Sequence, residues 1–147
     1  EPRPVHLVGI HTGGVWVAER INQCQPQTLP LYTLATHFYR DDFEQRGMKL
    51  NDQHSNLPAS IDGSVVLLVD DVLMSGRTIR AALNELFDYG RPAKVCLAVL
   101  FDVGYRELPI QADICGQRLA IHPQERVELR GPAPLRAELI HLGDPHS

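Results

Sequence analysis

The sequence predicts a doubly wound α/β fold: a parallel sheet with helices on both faces, and a small β appendage toward the C-terminal end. Three observations carry this. Short, continuous runs of branched apolar residues at 5–10, 66–69 and 94–101 read as strands buried on both faces, as parallel strands are. The first two run into turns containing glycine, and apolar residues at helical spacing follow each turn. Strand and helix then alternate over roughly the first hundred residues, the pattern of successive βα units.

The elements follow in order. Residues 5–10 (VHLVGI) make a first strand, and His11, Thr12, Gly13 and Gly14 a turn after it. Val15, Ala18, Glu19 and Ile21 recur at helical spacing, with Trp16 on the flank. Residues 31–38 (LYTLATHF) are rich in β-formers and read as a strand. Across 39–62 the pattern dissolves into charges, Gly47, Asn51, Asn56 and Pro58, which predicts a long flexible loop. Residues 66–69 form the next strand, and Ile79, Ala82, Leu83, Leu86 and Phe87 mark a helix ended by Gly90 and Pro92. Residues 94–101 (KVCLAVLF) are a buried strand with Asp102 at its carboxyl end. Weaker strand patterns at 112–119, 126–130 and 135–142, with a turn at 131–134, make up a C-terminal β appendage of about 112–147.

Composition bounds the class. The chain of 147 residues is expected to be one domain, 1–147, with 44% hydrophobic and 22% charged residues, ordinary for a soluble globular protein. No apolar stretch approaches membrane-spanning length and no targeting pattern opens the chain, so no membrane partner is expected. Cys24, Cys96 and Cys115 fit neither a disulfide framework nor a zinc pattern, which makes a cytoplasmic location the expectation. The seven histidines show no metal-ligand spacing. A net charge of −4 argues against wholesale nucleic-acid binding.

The chemistry concentrates at 66–78 (VLLVDDVLMSGRT). An apolar strand runs into two adjacent carboxylates, Asp70 and Asp71, at the edge where open α/β sheets bind ligands. Two acids there suit the hydroxyls of a sugar. Met74, Ser75, Gly76, Arg77 and Thr78 then form a small-residue turn opening a helix, whose backbone N–H groups suit a phosphate. Acid pair and turn together describe a socket for a phosphorylated sugar; the turn is not a Walker A loop, since no such string occurs.

This string resembles the signature of type I phosphoribosyltransferases, which bind phosphoribosyl pyrophosphate (PRPP). The segments LVGIHTGGVWVAERI, FYRDDF, DGSVVLLVDDVLMSGRTIRAALNEL and RELPIQAD, in that order over 7–113, are similar to the PyrR family of pyrimidine regulators and uracil phosphoribosyltransferases. The resemblance implies that Asp70 and Asp71 hold the ribose, that 74–78 wraps the 5′-phosphate, and that His11 to Gly14 is the pyrophosphate loop. It implies a flexible catalytic loop over 39–58, with Arg40 as its best candidate contact, and a base pocket at Asp102 and Val103. It implies PRPP and uracil as substrates, UMP as product and Mg²⁺ as cofactor, with few direct protein ligands. A homodimer or tetramer is implied as well. An RNA leader is a further implied partner, since some family members regulate transcription.

The chain departs from the family at several positions. His11 and Gly13 stand where many members carry arginines, Val103 stands where an arginine is common, and Met74 replaces an aromatic residue. A neutral Met74 also sets the chain apart from purine-specific relatives, which often place an acid there. Two other readings use the same residues. One is an RNA-binding attenuation regulator sensing nucleotides in this pocket. The other is a phosphoacceptor receiver domain, which fits poorly because Lys94 opens its strand instead of ending it.

Overall fold

A computed structural model of the chain describes residues 3–36 and 55–141. Its elements are β1 (Val5–Ile10), α1 (Gly13–Gln23), β2 (Leu31–Leu34), β3 (Val65–Leu73), α2 (Arg77–Tyr89), β4 (Lys94–Asp102), β5 (Ile114–Arg118), β6 (Glu125–Arg130) and β7 (Arg136–His141). Strands β1 to β5 form a sheet of order β2-β1-β3-β4-β5, parallel at every pairing. Strands β6 and β7 form a separate antiparallel pair.

The chain leaves β1 toward β2 on one side and builds β3, β4 and β5 on the other, so the order reverses between β1 and β3. A crevice opens beyond the carboxyl ends at such a point. Alternation along the central strands explains why both faces are covered. Val8, Ile10, Val66 and Leu68 share a buried cluster with Ile79, Ala82 and Leu86 of α2. Leu7 and Val69 share another with Val17 and Ala18 of α1. Completely buried leucines such as Leu7 and Leu68 contribute about 2 to 3 kcal/mol each.

Four expectations are modified. Strand β3 does not end at the acid pair but continues to Leu73, held by β4 through the pairing Leu73↔Asp102. Its pairing with β1 stops at Val69, so Asp70 and Asp71 project past β1 while still braced by β4. Strand β2 spans only the first part of the expected 31–38, and His37 and Phe38 lie outside the described residues. The loop expected over 39–62 is structured from residue 55 onward. Asn56 exchanges backbone hydrogen bonds with Thr33, and Ile61 is completely buried. The rest of that loop lies outside the described residues. Finally, β5 belongs to the parallel sheet and not to an appendage, which is confined to β6 and β7. As an edge strand β5 is largely exposed, so it lacks the apolar run that marks the central strands.

Candidate active site

Alternation along β3 places the two carboxylates differently. Asp70 continues the Val66–Leu68 face toward α2, and Asp71 continues the Leu67–Val69 face toward α1. Asp70 is 6% exposed and lines a cavity of about 270 Å³ together with Val72, Met74, Ser75, Gly76 and Thr78. Its Oδ1 accepts the Asp71 N–H at 2.8 Å, and Asp71 Oδ1 accepts the Val72 N–H at 2.8 Å. Both side chains are therefore oriented by the backbone that carries them.

The turn after β1 comes to the same place. A Cβ added at Gly13 would collide with the Asp71 carboxylate, and one at Gly14 with the Val69 carbonyl. Only glycine lets this turn seat directly on β3. The His11–Thr12 peptide is cis, the His11 N–H donates to the Leu34 carbonyl at 3.0 Å, and Thr12 precedes α1. His11 to Gly14 and the acid pair thus meet at the point where strand order reverses.

Beyond β3 the chain turns through Gly76, whose φ of +94° favours glycine, and enters α2. Arg77 N–H donates to Ser75 Oγ at 3.2 Å, and Arg80 N–H to the Gly76 carbonyl at 2.9 Å. No acidic residue lies in the first turn of α2, so the positive end of the helix dipole faces the cavity uncompensated from within the turn. The amides of Ser75 and Gly76 donate to no acceptor among the described residues. Open amides beside a helix N-terminus are groups that can receive an anion.

Asp102 and Val103 do not line that cavity. They line a second one, of about 510 Å³, together with Tyr105, Arg118, Leu119 and Ile121. Val103 is buried and its N–H donates to the Leu73 carbonyl at 3.0 Å. Asp102 is gripped by Arg106, with Nη1–Oδ1 at 2.9 Å and Nη2–Oδ2 at 2.6 Å. The Arg106 hydrogen bond, aided by the Gly104 N–H and opposed by burial, holds the Asp102 carboxyl below its usual value of 3.8. A depressed carboxylate pKa adds stability that is present above the unfolded-state value and lost as pH falls through the folded-state value. Asp102→Asn is therefore expected to cost about 2 kcal/mol near neutral pH. In urea titrations from pH 7 down to pH 3, wild type and variant should converge toward the acid end. A constant gap across that range would remove the ion pair as its source.

Two site residues escaped the sequence reading. Arg106 was legible only as part of RELPI, although an arginine four positions after a strand-end acid is a usable signal. Arg126 lines the Asp70 cavity from β6 and forms no ion pair among the described residues. Nothing in the sequence brings β6 to that rim; the packing of Leu129 beside Val17 and Val69 does. Arg40 lies outside the described residues. Among the described residues no group of three or more His, Cys, Asp or Glu could hold a metal, and no helix is long and apolar enough to cross a membrane.

An acid pair at a doubly wound switch point, leading through a glycine turn into a helix, defines a phosphoribosyltransferase of type I. Residues 2–121 match the phosphoribosyl transferase domain family. The chain is 60% identical over 132 residues to "Bifunctional protein PyrR" of Pseudomonas aeruginosa, covering 90% of this chain and 78% of that one. It is 54% identical over 142 residues to the protein of the same name from Pseudomonas fluorescens, covering 97% and 83%. The chain belongs to the PyrR family of phosphoribosyltransferases. Solved structures of lower identity share the fold. The hypoxanthine phosphoribosyltransferase of Trypanosoma cruzi superposes with a TM-score of 0.66 at 18% identity, over 96% of this chain and 78% of that one. A hypoxanthine-guanine phosphoribosyltransferase of Bacillus anthracis gives 0.64 at 16%, over 86% and 70%.

Proposed function

We propose that the protein transfers the phosphoribosyl group of PRPP to uracil, yielding UMP and pyrophosphate. The observation that carries this is the cavity joining the buried Asp70 to the open amides of the 74–78 turn. It matches a sugar hydroxyl at one end and a phosphate at the other. Uracil is favoured over a purine by the family and by the neutral Met74.

The bond from ribose C1 to the pyrophosphate oxygen breaks, with its electron pair leaving on pyrophosphate. A uracil ring nitrogen bonds to C1 and loses its proton. In this scheme Asp70 and Asp71 orient the ribose hydroxyls, and their negative charge favours the positive charge developing on the sugar. The Ser75 and Gly76 amides and the α2 terminus hold the 5′-phosphate. No enzyme nucleophile is needed, so catalysis is positioning and electrostatics. The oxygen donors Asp70 and Asp71 suit Mg²⁺, too few for a closed protein cage, so the ion would be held mainly by the substrate and water. Bound there, Mg²⁺ supplies charge neutralisation of the leaving group.

The test is UMP formation from uracil and PRPP with Mg²⁺, with hypoxanthine in parallel. Turnover of hypoxanthine alone would overturn the base assignment, and turnover of neither would overturn the enzyme. Arg126 supplies positive charge on the wall of the Asp70 cavity, in a chain whose 11–14 turn lacks the arginines many family members carry. Arg126→Ala is expected to raise KM for PRPP about tenfold, since a charge-assisted contact is worth about 1.5 to 3 kcal/mol. KM for uracil should change little. An unchanged PRPP KM would place Arg126 outside the anion subsite.

A second reading is favoured by the word "bifunctional" in the relatives' names: regulation of pyrimidine genes through a leader RNA. Affinity for such a leader that falls steeply with added salt would support it. Indifference to the leader, or equal affinity for unrelated RNA, would count against it.

A further inference from the structure

Residues 106–110 lie behind the phosphate loop, away from its cavity, and hold its carbonyls. Arg106 Nη1 donates to the Met74 carbonyl at 3.1 Å. The Ser75 carbonyl accepts the Glu107 and Leu108 N–H groups at 2.9 and 3.1 Å. A Cβ at Gly76 would stand 3.0 Å from Ile110 Cγ1, so the loop rests directly on this segment.

Peptide planarity makes this arrangement consequential. In a trans peptide the carbonyl oxygen of one residue and the N–H of the next point in opposite directions. Both peptides concerned, Met74–Ser75 and Ser75–Gly76, are trans. A Met74 carbonyl drawn backward therefore aims the Ser75 N–H forward. A Ser75 carbonyl drawn backward does the same for the Gly76 N–H. Neither amide has an acceptor among the described residues.

We propose that Arg106 is a positioning residue for the phosphate subsite: by holding the Met74 carbonyl from behind it aims the Ser75 amide at the ligand phosphate. Its geometry is itself fixed. Both Asp102 oxygens take the guanidinium fork, and Nε donates to the Ile110 carbonyl at 2.7 Å. Only a planar multidentate donor meets all of these at once, which separates arginine from lysine here. The Asp102–Arg106 pair thereby couples the end of β4 to the anion cradle without touching the ligand. The inference rests on the phosphoribosyl reading of the cavity.

The test measures ribose 5-phosphate binding by calorimetry in wild type, Arg106→Lys and Arg106→Met, with amide NMR of Ser75 and Gly76. Thermal unfolding of each variant runs in parallel. Arg106→Met is expected to bind about tenfold more weakly, the usual cost of one lost oriented hydrogen bond, and Arg106→Lys to lose most of the same affinity. The ligand-induced shift of the Ser75 amide should shrink in both. A folded variant with lower stability, but with wild-type affinity and a wild-type Ser75 shift, would make Arg106 merely structural and overturn the proposal. If Arg106→Met does not fold, Arg106→Lys decides by the same two readouts. Failure of wild type itself to bind ribose 5-phosphate would sink the phosphoribosyl reading and this inference with it. Wild-type binding with an unaffected Arg106→Lys would sink this inference alone.

Discussion

Asp70→Asn is expected to lower kcat/KM for UMP formation about a hundredfold or more, with little change in thermal stability. The substitution keeps shape and keeps the Oδ1 acceptor that takes the Asp71 N–H. It removes a negative charge at 6% exposure, on the wall of the cavity that also holds the phosphate loop. A charged hydrogen bond to a sugar hydroxyl is worth about 1.5 to 3 kcal/mol, or roughly ten- to a hundredfold. Loss of the charge facing an oxocarbenium-like sugar adds to this, because such preorganised electrostatics act most strongly in the transition state. The decrease should therefore fall more on kcat than on PRPP binding. Steady-state kinetics with melting curves would check it. Activity within a few-fold of wild type, on a folded variant, would detach the acid pair from the sugar.

The parts of this molecule legible in the sequence are those that obey a local period. Val5–Ile10 and Lys94–Asp102 are central strands covered on both faces, so their apolar runs are unbroken and their positions evident. Helix α2 announces itself through Ile79, Ala82 and Leu86, all facing the sheet. What was misread depends on partners distant in sequence. Strand β5 joins the sheet by pairing Ala98 with Ile114, a contact no local pattern encodes in a polar edge strand. The acid pair looks like the end of a strand because the apolar run stops there, yet β4 carries the pairing on to Leu73. The turn at 74–78 was legible as a glycine turn opening a helix, whereas the reason its amides are left open was not. That reason lies in Arg106, Glu107 and Leu108, some thirty residues further on, bonded to the carbonyls of Met74 and Ser75. Asp102 and Val103, where the base pocket was expected, line a cavity of their own, while Arg126 reaches the Asp70 cavity from the hairpin.

Gly13→Ala should abolish most of the activity by a different route, through volume and not charge. The added methyl would collide with the Asp71 carboxylate and stand 2.7 Å from its Cγ and 3.0 Å from its Cβ. Asp71 cannot simply swing aside, because its Oδ1 holds the Val72 N–H and its Cβ is fixed to a paired strand. Either the N-terminus of α1 retreats from β3 or the carboxylate leaves its position. Overpacking of this kind costs about 1 to 3 kcal/mol of stability. A displacement near 1 Å at a reacting centre costs on the order of a hundredfold in rate. The two costs can be separated by a cycle with Asp71→Ala, which removes the carboxylate atoms the new methyl would strike and leaves only Cβ in close contact. The double variant should recover most of the stability lost by Gly13→Ala and none of the activity, because the space is restored and the carboxylate is not. Additive destabilisation in the double variant would mean that the β1–α1 turn and the acid pair do not touch. The switch-point geometry on which the site is built would then be wrong.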